Sequence, residues 1–127
     1  MVIGISDKHP LVYKQAVIIR TDIGMSVGKS IAQAGHVIRG SAEIARQQTP
    51  DVWQAWIDEG EAKIVLAVNS LDTLERLEQK AIERNIPCCI IADLGRTELP
   101  SGTITALAIG PALTTAINPV TRELKRL

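Results

Sequence analysis

The chain has 127 residues, enough for one hydrophobic core, and its 14 basic and 14 acidic residues leave no net charge. That balance excludes a surface-wide field for polyanions and leaves any nucleic-acid contact to a local patch. Three aromatic residues, Tyr13, Trp53 and Trp56, are too few for a base-stacking platform, and two cysteines with the distant His9 and His36 spell no metal site.

Residues 1–12 read as a tail ahead of a single domain over 13–127. The opening apolar patch is broken by Asp7 and Lys8, unlike a signal peptide, and no later run reaches membrane-spanning length, so a reducing cytoplasm is expected. The β-branched run from Tyr13 to Arg20 predicts the first strand. After a loop, Ser26 is placed to cap a long helix running to about Gln48. At about 100° per residue, Ala34, Gly35, Ile38, Ala42 and Ala45 fall within about 60° of Ile31, which predicts the buried stripe; Lys29, Gln33 and His36 lie on the opposite side.

A short helix over Asp51–Glu59 follows Pro50 and ends at Gly60, with Trp53 and Trp56 on one face as core or lid packing. Ala62–Val68 reads as a strand, Leu71–Arg84 as a helix with Leu74, Leu77 and Ala81 inward, and Pro87–Ala92 as a strand in which Cys88 and Cys89 act as small apolar residues. This is a βαβ unit with a right-handed crossover expected. A polar loop over Asp93–Gly102 leads into a strand over Thr103–Ile109, and Asn118–Leu127 reads as a turn and a basic end. The pattern predicts an α/β three-layer sandwich, a mixed sheet of about four strands with helices on both faces, whose working loops gather at the carboxyl ends of strands.

Two of those loops carry chemistry. Gly24-Met25-Ser26-Val27-Gly28-Lys29-Ser30 is one residue too short between its glycines for a phosphate-binding loop, which argues against a nucleotide hydrolase even though Asp93 ends an apolar strand as a magnesium-holding acid would. Lys29 instead breaks two local rules. It puts positive charge at the positive end of a helix and stands where Glu or Gln would complete a capping box with Ser26, a combination suited to an anion or a developing oxyanion. Asp93 supplies a carboxylate beside Thr103 and Thr105, which share one face of a strand.

The series Arg20-Thr21-Asp22, Gly28-Lys29, Ala32-Gln33 and His36, then Asp93 through Thr105 and Ala108-Ile109-Gly110-Pro111, resembles the type 2 peptidyl-tRNA hydrolases of archaea and eukaryotes. The resemblance implies hydrolysis of the ester joining a peptide to the terminal ribose of tRNA, without metal or other cofactor, on a mixed-sheet α/β fold and often as a homodimer. It puts the catalytic positions on Lys29, Asp93, Thr97 and Thr105, with Gln33 and His36 shaping the site. Arg20, Arg39, Arg96, Arg122, Lys125 and Arg126 are candidates for the tRNA backbone. Leu94 and Val37 stand where the family usually has Ala, enlarging side chains near the presumed site and implying a difference in substrate size or activity. The alternative from another class is a non-catalytic adaptor or small-ligand-binding member of the same fold.

Overall fold

The computed structural model describes residues 1–5, 11–95 and 98–127. Its elements are β1 (Tyr13–Arg20), α1 (Val27–Gln48), α2 (Pro50–Glu59), β2 (Lys63–Val68), α3 (Leu71–Glu83), β3 (Cys88–Asp93), β4 (Thr103–Leu113), α4 (Thr114–Thr121) and β5 (Lys125–Arg126). They form a three-layer α/β sandwich around one five-stranded sheet of order β3-β4-β1-β2-β5. Strands β1 and β2 are parallel, whereas β4 runs antiparallel to both β1 and β3, and β5 antiparallel to β2. The fifth strand is a two-residue edge pairing at the chain's end, too short to leave a periodic signature.

Ala16 to Ile19 in β1 are at most 1% exposed, a continuous buried run, because this central strand is covered on both faces. On one face Ala16, Ile18, Leu107 and Ile109 pack with Leu74, Leu77 and Ala81 of α3 and with Ile117 and Val120 of α4. On the other, Val17, Ile19, Ala106 and Ala108 pack with Val37 of α1. Trp56 of α2 is buried and its indole N–H donates to the Ala62 carbonyl at 2.9 Å, so it is core. Strands β2 and β3 run in the same direction but are separated by β1 and β4, so the α3 connection spans two strands.

Helix α1 corrects the predicted orientation. Its buried line is Gln33, Val37, Ser41 and Ala45, while Ile31 is 67% exposed. The helix is rotated about a quarter turn from the face that its apolar residues define. Two polar residues reach the interior because each has a partner there: Gln33 at Thr105, and Ser41, whose hydroxyl donates to the Gly110 carbonyl. The rotation leaves Val27 and Ile31 outside, beside Val65 and Leu127, in an open apolar groove of about 690 Å³.

Helix α4 is the other departure, its second half lying where the sequence reads as a turn. Pro119 sits inside it and Thr114 and Thr115 open it, both poor helix signals. Packing of Ile117 and Val120 against the sheet outweighs that propensity. Cys88 and Cys89 are half-buried free thiols, and burial pushes the Cys88 thiol up to about 11.

Candidate active site

Ser26 has extended backbone and its side-chain oxygen accepts from the Lys29 amide at 3.1 Å, which starts α1 and fixes Lys29 in its first turn. Gly24 adopts a left-handed φ of 71°, so the loop before the cap needs glycine there; a Cβ on Gly28 would meet nothing within 4 Å. The Lys29 Nζ lies 3.4 Å from Asp93 Oδ2, and the two side chains are only 12% and 6% exposed. Asp93 is the last residue of β3. Its Oδ1 accepts from the Gly95 amide at 3.2 Å, and its carbonyl accepts from Gly102 at 2.5 Å, closing the neck of the loop. Gly95 has φ 89°, and a Cβ there would stand 2.8 Å from the Ser101 Cβ.

Thr105 reaches the same helix through a break in the strand register. Ile91 pairs with Ala106 but Ala92 pairs with Ile104, leaving Thr105 as an extra residue in β4. Such a bulge re-aims a side chain. Ile104 packs on the α3 side of the sheet, whereas Thr105 receives a 2.7 Å hydrogen bond from Gln33 Nε2 of α1. Both partners are buried, and because the Gln33 amide donates, the Thr105 hydroxyl proton is left to donate onward. Thr103 also sits at this end, but its hydroxyl donates to the Pro100 carbonyl in its own turn.

Lys29, Asp93, Gln33 and Thr105 are thus brought to one end of the sheet. Thr97 and Arg96 lie outside the described residues. Arg20 is close by, but its guanidinium is engaged by Asp22 at 2.7 and 3.1 Å and by the Ile104 carbonyl at 2.9 Å. That pairing holds the Asp22 carboxyl below its ordinary range. His36 and Arg39 are exposed on the outer side of α1, apart from the buried line. Arg122, Lys125 and Arg126 are exposed at the chain's end. Leu94 is 83% exposed and Val37 is packed in the core. Glu98, which no sequence pattern singles out, places Oε1 2.7 Å from the Ser26 amide.

Chemically this is a mostly buried carboxylate and ammonium at the mouth of a helix, with a positioned hydroxyl and amide behind. A carboxylate in that setting can take a proton from water, and an ammonium can neutralise an oxyanion. Among the described residues no group of three His, Cys, Asp or Glu side chains is placed to hold a metal ion, and no helix is long and apolar enough to cross a membrane.

The family model described as Peptidyl-tRNA hydrolase PTH2 matches residues 13–127. A peptidyl-tRNA hydrolase of Methanocaldococcus jannaschii is 42% identical over 114 residues, covering 90% of this chain and 99% of that protein. One from Aeropyrum pernix is 38% identical, covering 89% of this chain and 94% of its own length. A probable peptidyl-tRNA hydrolase 2 of Dictyostelium discoideum is 42% identical over 88% of this chain, which spans 53% of that longer protein.

Proposed function

The chain belongs to the peptidyl-tRNA hydrolase PTH2 family, and on that premise we propose that it hydrolyses the ester between a peptide and the terminal ribose of tRNA. The observation that carries this reading is the Lys29–Asp93 ion pair at the entrance of α1. In the proposed reaction Asp93 accepts a proton from a water that attacks the ester carbonyl. Lys29 neutralises the tetrahedral oxyanion, and the proton then passes to the departing ribose oxygen as the carbon–oxygen bond breaks. Thr105 carries no exposed surface, so its part is to hold the site's polar groups in register with Gln33. Thr97 is proposed as a further catalytic residue and Arg96 as a substrate contact, both by family resemblance, and His36 contributes from the outer side of α1.

Release of labelled peptide from a purified peptidyl-tRNA, without added metal, tests the reading. Turnover is expected; absence of release would leave a binding module of the same fold. Arg39, Arg96, Arg122, Lys125 and Arg126, and Arg20 less so given its Asp22 partner, are the proposed tRNA contacts. Three phosphate contacts predict about a tenfold or greater loss of affinity from about 50 to about 200 mM salt. A flat response in a filter-binding titration would remove the electrostatic contribution.

The domain boundary is placed at residue 13 with 1–12 as a tail, and the protein is taken to work in the cytoplasm as a homodimer. The apolar surface of Val27, Ile31, Val65 and Leu127 supports self-association. Ile31→Glu is expected to convert a dimer to a monomer in sedimentation equilibrium. A wild-type monomer at micromolar concentration would end that proposal.

A further inference from the structure

The first turn of α1 lacks any acidic residue, although a helix entrance is the positive end of the macrodipole and Lys29 adds charge to it. In a capping box, the side chain three positions after the cap accepts from the cap's own backbone N–H. Here that position is Lys29, whose ammonium turns to Asp93 instead. The missing acceptor comes from the chain 72 residues later: Glu98 Oε1 receives the Ser26 N–H at 2.7 Å, while Ser26 Oγ receives the Lys29 N–H at 3.1 Å. The capping box is complete, but split between the helix and the loop that follows Asp93.

We propose that Glu98 is a positioning residue for the ester hydrolysis, latching the loop after Asp93 onto the entrance of α1 so that Lys29 and Asp93 keep their working separation. The inference rests on the hydrolytic role proposed above. Lys29 and Asp93 belong to different elements, and a helix end can drift from a loop unless something ties the two together. The far side of the loop is already fixed. Leu99 is buried, the Thr103 amide and hydroxyl both donate to the Pro100 carbonyl, and Gly102 donates to the Asp93 carbonyl. Glu98 stands one residue before this anchored stretch, so its carboxylate reaches the helix from a firm base. The same carboxylate supplies the negative charge that the first turn lacks, which accounts for a lysine being tolerated there.

Three variants separate a latch from an ordinary helix cap. Glu98→Ala removes the acceptor and is expected to lower kcat by about tenfold to 100-fold with KM within about twofold, the scale of a misplacement near 1 Å. Glu98→Gln keeps an acceptor oxygen of the same reach and is expected to recover most of that loss. Ser70→Ala removes the equivalent side-chain cap of α3, where Ser70 Oγ accepts from the Thr73 amide at 3.1 Å, and is expected to lower Tm comparably while kcat stays within about twofold. Equal kcat losses in Glu98→Ala and Ser70→Ala, unchanged kcat in Glu98→Ala, or no recovery in Glu98→Gln would each overturn the latch. Hydrogen exchange at the residue 26 amide gives a readout independent of activity. Protection lost in Glu98→Ala and kept in Ser70→Ala supports the latch, and unchanged protection in Glu98→Ala overturns it. A wild-type protein inactive on peptidyl-tRNA would sink the proposed function, with the exchange result still deciding whether the tie exists.

Discussion

Replacing Asp93 with Asn is expected to lower kcat for peptidyl-tRNA hydrolysis by about 100-fold to 10,000-fold, the range for loss of a positioned general base. The substitution keeps the side chain's shape, and the amide oxygen can still accept from Gly95. It removes only the charge and the capacity to take a proton from water. Lys29 loses its counter-charge 3.4 Å away, but its flexible stem can carry the ammonium into water, so stability falls by about 1–2 kcal/mol rather than by the full cost of a buried orphan ion. Lys29→Ala is expected to cost about 100-fold to 1,000-fold in kcat, as for removal of an oxyanion-stabilising donor. The double variant should be little worse than the slower single one, because groups that act as a unit are not additive. Steady-state kinetics with each purified variant checks this. An Asp93→Asn enzyme within tenfold of wild type would mean that the base is elsewhere.

Gly110→Ala is expected to be the most destabilising change to a single small residue, by about 3–5 kcal/mol. Gly110 has φ 94°, a conformation that a side chain strains, and an added Cβ would lie 2.9 Å from the Ala112 amide nitrogen, the Ile117 Cδ1 and the Lys14 carbonyl oxygen. Two of those atoms are backbone and cannot rotate away. The residue is also a junction. Its amide donates to the Pro87 carbonyl at 2.7 Å, and its carbonyl accepts from Ser41 and from Gln15 Nε2 at 3.3 Å, where the β1–β4 register shifts. Moving it disturbs β3, α1 and β1 together. Thermal and urea unfolding measure the effect, with an expected Tm fall of at least about 10 °C. A loss under about 1 kcal/mol would show that the register shift is soft rather than fixed by these contacts.

Both predictions draw on positions where local pattern and tertiary contact meet. Strand β1, helix α3 with Leu74, Leu77 and Ala81 inward, the Ser26 cap and the Gly60 stop were legible because each is written in neighbouring residues: a β-branched run, a repeat near 3.6, a hydroxyl before a helix, a left-handed glycine after one. The candidate site was legible through Lys29, a charge in the wrong place for its helix, and through Asp93 at the end of an apolar strand. Glu98 left only an indirect trace, the absence of an acid where the capping box wants one.

The order of elements from β1 to β4, the α/β class and the candidate site residues Lys29 and Asp93 were therefore legible in the sequence alone, since they depend on propensities and spacings within a few residues. What only the tertiary structure decided depends on partners far apart in the chain. Helix α1 turns its Gln33 and Ser41 line inward because Thr105 and the Gly110 carbonyl wait there, not because that line is apolar. Thr105 faces the helix because one extra residue in β4 shifts its pairing with β3. Helix α4 forms against its own propensity because Ile117 and Val120 bury against the sheet. In each case the free energy of a long-range contact exceeds a local preference of a few tenths of a kcal/mol to about 1 kcal/mol per residue.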